Sequence, residues 1–406
     1  MTTVFFAAPV LSESASRMVE AVGSLPGVRL GVISQDALEH APAWARTRIA
    51  AHWRVRDVLD PEQLLWAAAG LTERLGAPTR LFGAYEQLQV PLAETRARLG
   101  IEGMSVEVTH NFRDKARMKQ LLRDAGVPCA RHRLLSSEAD ALAFAEEVGY
   151  PLVLKPVAGA GAVATYRADD ARGLAEALVS VQPGPAHPVL AEEFMIGDEH
   201  SLETVSIDGR PVWHSLTHYY PNPLEVVRNP WIQWCVLLPR EVDEVHYDDI
   251  RSIGARALTA LGMTTGLTHM EWFRRKDGSV AVSEVAARPP GAQITTLMSR
   301  STDTDFVQSW ARLMVTGEFD PPARQYAAGV AFLRGQGRGR IRAIHGLDAV
   351  RSAIGGLVVD AKLPTLGAEP AESYEGDGWI LVRHPQTIVV ANALRRLIST
   401  VRVELG

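Results

Sequence analysis

The sequence predicts a chain of mixed α/β and α+β class built from three successive units, and three observations carry that prediction. A strand, helix, strand alternation fills residues 1 to 108, as in a parallel α/β domain. Residues 109 to 320 mix buried-looking strands with amphipathic helices and contain a strong hairpin signal at Asp277-Gly278. The last stretch, 321 to 406, holds short strand patterns and one long helix pattern, an α+β arrangement.

In the first unit, Thr3 to Ser34 reads strand, helix, strand, with Ala15, Met18, Val19 and Val22 on one helix face. Strand over Arg54 to Leu59, helix over 61 to 75 and strand over Thr79 to Phe82 continue the alternation. No Gly-x-Gly-x-x-Gly turn supports a Rossmann dinucleotide site. The middle unit opens with Asn111 as helix cap and a stripe of Met118, Leu121, Leu122 and Ala125, ended by Gly126 and Pro128. Strands follow at Pro151 to Pro156, Pro188 to Met195, His200 to Ile207 and Pro211 to Thr217, the last two joined at Asp208-Gly209. A helix from Asp249 to Leu261 precedes the hairpin, and the two lobes so formed divide near residue 186. The third unit has strands near 328 to 334 and 378 to 383 and a helix near 387 to 400. Its Gly335 to Gly339 run reads as a hairpin turn, although it superficially resembles a nucleotide loop.

A formal net charge of −5 over 406 residues argues against nucleic acid or an anionic membrane as partner. Cys129 and Cys235 are the only cysteines, too few for a disulfide framework or a Cys/His zinc cluster, and they suit a cytoplasmic location. Val4 to Ala8 lacks a basic flank and reads as a first strand, not a signal peptide. No apolar run approaches the roughly 18 residues of a membrane helix. A homodimer is compatible with this composition.

Glu271 and Glu284 are each five residues removed from Asp277-Gly278. With a two-residue type I′ turn they fall opposite each other on one sheet face, Cβ atoms roughly 5 Å apart. Like charges so placed repel, and a cation is the simplest offset. Two carboxylates with open positions suit Mg²⁺ bound with phosphates; a solvated acidic pair is the other reading. Lys155 ends a Val-Leu-rich strand and precedes a small-residue loop with Gly159 and Gly161, which suits phosphate contact. A glycine turn after an edge lysine gives the same pattern. Lys115 and Lys119 lie one helical turn apart, the spacing of a solvated basic face. Glu192, Glu193, Met195 and Glu199 surround a strand end where backbone groups and a carboxylate suit adenine and ribose, or simply form a polar loop. Arg288 shares the face of Glu284 and suits either an anionic substrate group or a structural ion pair. The stretch Trp213 to Arg240 is rich in aromatics and suits either a pocket wall or core packing.

Taken in order, these pieces resemble the ATP-grasp superfamily of carboxylate-amine ligases, and within it the bacterial L-amino-acid ligases that make dipeptides. The resemblance implies an ATP-grasp fold with an N-terminal pre-ATP-grasp α/β domain and a C-terminal domain. It implies that Lys115 and Lys155 hold nucleotide phosphates under a lid at 157 to 163. Glu192 would then meet the adenine amino group, Glu193 and Met195 would offer backbone contacts, and Glu199 would bind ribose. Glu271 and Glu284 would coordinate Mg²⁺ and Arg288 would steady an acyl phosphate. The implied reaction joins a carboxylate to an amine at the expense of ATP. One departure stands out: the family's Glu-x-Asn-x-Arg signature reads Glu284-Val285-Ala286-Ala287-Arg288, with alanine at the third ligand position. His269 falls opposite Ala286 in the hairpin register. A biotin-carboxylase-like carboxylase and a nucleotide-binding regulator without catalysis are the competing readings.

Overall fold

A computed structural model describes residues 1–157 and 165–406. The N-terminal unit is a four-stranded parallel sheet in the order Ala51–Arg54, Val28–Ser34, Thr2–Ala8, Arg80–Phe82. Val4 to Ala8 are fully buried because helices cover both faces of a parallel sheet. The third strand lies earlier than the expected Arg54 to Leu59. Beyond Arg54, side chains capture the backbone donors: Gln63 takes the N–H groups of Arg56 and Asp57, Asp57 takes that of Leu59, and Asp60 caps helix Pro61–Leu75.

Asn111 is not a cap. It lies inside helix Val106–Arg113, where its amide donates to Leu261 O at 3.0 Å, and Asp114 caps the next helix, Lys115–Asp124. The Asp114 carboxylate, just after the helix break, accepts from the N–H groups of Ala116 and Arg117, which Asn111 is too far back to reach.

Two further sheets face each other across the middle of the chain. The smaller is antiparallel, in the order His132–Leu135, Val189–Glu193, Leu152–Pro156, Tyr166–Ala168, with helices Glu138–Val148 and Ala171–Val181 packed on it. The larger has eight antiparallel strands: Val280–Ala286, Gly266–Arg275, Gly197–Ile207, Arg210–Tyr220, Trp234–Leu238, Ala327–Leu333, Gly378–His384 and Val358–Lys362. Strands of the last stretch therefore extend the central sheet. Gly335 to Gly339 is not a hairpin turn: Gly335–Gln336 and Ile341–His345 lie on opposite sides of Arg402–Leu405 and do not pair with each other. The C-terminal strand arrives from the far end of the chain, beyond the reach of local pattern.

One apolar cluster runs from Val4, Phe6 and Val19 of the N-terminal unit through Phe306 and Trp310 to Trp234 and Phe332 of the large sheet. This shared core fixes the N-terminal unit against the central sheet, at the mouth of the cavity described next. Among the described residues no helix is long and apolar enough to cross a membrane.

Candidate active site

Glu271 lies opposite Glu284 and His269 opposite Ala286, but the route to that register differs from a simple two-residue turn. Only Gly278 of the turn has positive φ, +85°, and Arg275 N–H bonds Ser279 O at 2.9 Å, so Lys276-Asp277-Gly278 form a three-residue loop. That loop shifts the near-turn pairs by one residue, giving Trp272 opposite Val282. A bulge at Ser283 then restores the register at Glu271. The bulge has a partner: Lys119 Nζ donates to Ser283 O at 2.9 Å.

The two helix lysines are not solvated. Met118 and Leu122 bury the inner face of helix Lys115–Asp124, which carries Lys115 and Lys119 inward with them. Lys115 pairs with Glu284. Lys119 is fully buried, 3.3 Å from Glu192, and Lys155 lies 2.8 Å from the other oxygen of Glu192. Burial pushes the Glu192 carboxyl up, yet Lys119 and Lys155 together bring it below the ordinary range. Burial outweighs the attraction of Glu192 at Lys119 and lowers it, whereas at Lys155 the attraction of Glu192 and Glu284 prevails over burial and raises it. Glu284 is likewise held well below the ordinary range by Lys115 and Lys155 in spite of burial. Among the described residues Glu192 Oε1 is buried with the Lys119 ammonium at 3.3 Å as its neighbour and no closer donor.

Lys115, Lys155, Glu192, Glu193, Met195, Glu199, Glu271, Glu284 and Arg288 all line one cavity of about 600 Å³. The sequence reading thus chose residues from five distant segments that the fold brings together. Gly159 and Gly161, with most of the expected lid, lie outside the described residues. The Glu193 carboxylate is committed to Arg131, at 2.7 Å, and its N–H to Arg131 O. Burial and the nearby Glu271 raise the Glu199 carboxyl well above its usual range. Arg288 donates to Glu86 at 2.9 and 3.0 Å and to Pro289 O at 2.9 Å. Glu86 also pairs with Arg113.

Of the aromatic stretch, Tyr219, Val226 and Trp234 line the cavity, while Trp213 stacks in the core with Phe306 and Trp231 is exposed. His214 faces Asp243 and His218 faces Tyr247, away from it. Sequence reasoning missed Glu86, Lys119 as a buried group, and Glu203. Glu86 had a usable signal, because it follows the carboxyl end of a parallel strand, where open α/β sheets hold ligands. Glu203 had none: it sits mid-strand in an ordinary alternation. It is wholly buried, accepts from Ser201 at 2.6 Å and Thr217 at 2.9 Å, and meets His269 Nδ1 at 2.8 Å. His269 Nε2 is 3.7 Å from Glu271. Burial lowers His269, but Glu203 and Glu271 more than compensate and raise it to about 9.

The donor set suits Mg²⁺ with nucleotide phosphates. Glu271 and Glu284 offer hard oxygens of the kind Mg²⁺ takes together with phosphate and water, and among the described residues no group of three or more His, Cys, Asp or Glu is placed to hold a metal. Lys115 and Lys155, which line the same cavity, suit a polyphosphate.

A family model of the ATP-grasp domain matches residues 120–304. An uncharacterised protein of Sinorhizobium fredii is 28% identical over 306 residues, 73% of this chain and 62% of its own length. An L-arginine-specific L-amino acid ligase of Bacillus subtilis is 25% identical over 226 residues, 54% of each protein. The chain thus spans about half to three fifths of the length of these curated relatives. The crystal structure of an L-amino acid ligase from Bacillus licheniformis shares the fold, with a TM-score of 0.80 at 22% identity over 100% of this chain and 99% of that one.

Proposed function

We propose that the chain, whose residues 120–304 match the ATP-grasp domain, is an ADP-forming carboxylate-amine ligase acting on amino-acid-like substrates. The observation that carries this reading is the convergence of Lys115, Lys155 and the Glu271–Glu284 pair on a cavity that continues to Arg288. A mere nucleotide binder has no need of the last group.

Lys115 and Lys155 would bind the phosphates of ATP, and Glu192, which lines the cavity beside Lys155, would accept from the adenine amino group. Glu271 and Glu284 would hold Mg²⁺, which supplies neutralisation of phosphate charge. A substrate carboxylate would attack the γ-phosphoryl, giving ADP and an acyl phosphate; an amine would then attack the acyl carbon and release phosphate. For such a transfer the protein's contribution is positioning and electrostatics, so the fixed ammonium groups matter more than any proton carrier. Arg288, turning from or sharing Glu86, would steady the acyl phosphate. The test is an ADP-release screen over pairs of amino acids and small acids, with mass spectrometry of the product. Silence across a broad panel by a protein that binds ATP would overturn the ligase reading in favour of a regulator.

A further inference from the structure

The cavity has an apolar wall with no part in the phosphate chemistry. Met18, Tyr85, Tyr219, Trp234, Ile294 and Tyr374 line it and belong to the one hydrophobic cluster that joins the N-terminal unit to the large sheet. These side chains come from six separate segments and converge on one space.

Tyr374 is the unexpected member. It lies in the irregular stretch between strands Val358–Lys362 and Gly378–His384, which the chain has no local reason to place near a site in the middle unit. The stretch is tied down at several points. Trp234 Nε1 donates to Tyr374 O at 2.7 Å, with the two rings edge to face at 6.0 Å. Gln293 donates to Glu375 at 3.2 Å, and Asp377 accepts from Ala371 N–H and Gly335 N–H, each at 2.7 Å. At Gly291 a Cβ would stand 2.6 Å from Tyr374 Oη, so glycine there lets the phenol lie against the loop that follows Arg288. The ring is thereby fixed beside the group expected to hold the substrate carboxylate.

Charge is scarce on this side. Among the described residues that line the cavity from the N-terminal unit, from 219–234, from 288–294 and from the C-terminal stretch, the charged ones are Glu86 and Arg288. They bind each other, and Glu86 also holds Arg113. With Arg288 engaged by the substrate carboxylate and Glu86 still held by Arg113, a charged side chain entering here would lose its hydration without gaining a counter-ion of its own. An apolar one would gain contact with Trp234, Tyr219 and Tyr374.

We propose that the acid this site binds carries a bulky apolar side chain, aromatic or large aliphatic, and that Tyr374 is a specificity-determining residue against which that side chain packs. The proposal rests on the ligase reading for the position of the carboxylate at Arg288. It is tested by calorimetric titration of the Mg²⁺-loaded protein, saturated with a non-hydrolysable ATP analogue, with phenylalanine, leucine, glycine, aspartate and arginine. Phenylalanine and leucine are expected to bind at least about tenfold more tightly than the other three. Tyr374→Ala is expected to cost phenylalanine about tenfold in affinity while the analogue binds as before, and Tyr374→Phe to keep both. Equal or tighter binding of glycine, aspartate or arginine, or no binding by any of the five, overturns the proposal. Unchanged phenylalanine affinity in Tyr374→Ala removes Tyr374 from it, and should that variant fail to fold, Tyr374→Leu takes its place. Selective binding without ADP release would leave this inference standing and remove the ligase reading; ADP release with charged acids alone would do the reverse.

Discussion

Arg288 donates two hydrogen bonds to Glu86 across 202 positions of sequence, and this contact joins the loop after the hairpin to the N-terminal unit. Glu86 is 5% exposed and binds Arg113 as well, so one carboxylate holds two guanidinium groups. Glu86→Ala leaves both without their partner. Loss of a buried partner costs about 3 kcal/mol, and urea denaturation should show a drop of that order together with loss of ADP formation. An unchanged midpoint would mean that the pair is solvent-compensated.

Glu271 and Glu284 should respond differently to truncation, although both would serve Mg²⁺. Glu271 is 35% exposed at its side chain, whereas Glu284 balances the buried ammonium of Lys115. Glu271→Ala is expected to abolish Mg²⁺-dependent ADP formation with stability kept to within about 1 kcal/mol. Glu284→Ala should lose the same activity and about 3 kcal/mol of stability besides. Thermal unfolding beside a coupled ADP assay separates the two; retained turnover in both variants would sink the metal assignment.

The Lys155–Glu192 pair makes a prediction about acid. The folded-state pKa of Glu192 is lowered, so its contribution is present above the ordinary carboxylate value near 4.5 and lost as pH falls through the lower folded value. Lys155→Met removes one of the two cations responsible. Acid unfolding followed by circular dichroism should then begin roughly half a pH unit higher. ADP affinity by calorimetry should fall at least about tenfold. Equal acid limbs would show that Lys119 alone suffices.

Glu203 does not line the cavity, but it holds His269, whose other nitrogen faces Glu271. Glu203→Gln is expected to loosen that support and raise the Mg²⁺ concentration for half-maximal ADP release at least about threefold, with metal-free ADP affinity unaltered. A coincident Mg²⁺ curve would assign His269 to packing alone.

The sequence by itself determined the local elements and the chemical inventory. Alternation and turn residues were enough for strand Thr2–Ala8 and the Asp208-Gly209 turn with positive φ at both residues, whereas the facing of Glu271 and Glu284 is reached through a three-residue loop and a bulge in place of the two-residue turn expected. The first two depend on neighbours a few residues apart, and periodicity records such neighbours. The bulge at Ser283 was invisible, because it answers a lysine from another helix. Burial of Lys115 and Lys119 was misread for a related reason. Helical spacing tells which residues share a face, not what that face meets, and here it meets carboxylates. Glu86 beside Arg288, Tyr374 beside Gly291 and the C-terminal strands within the central sheet were decided by tertiary structure alone. Each joins segments far apart in the chain, where the energy lies in excluding water from a shared core and local pattern leaves no trace of the partner.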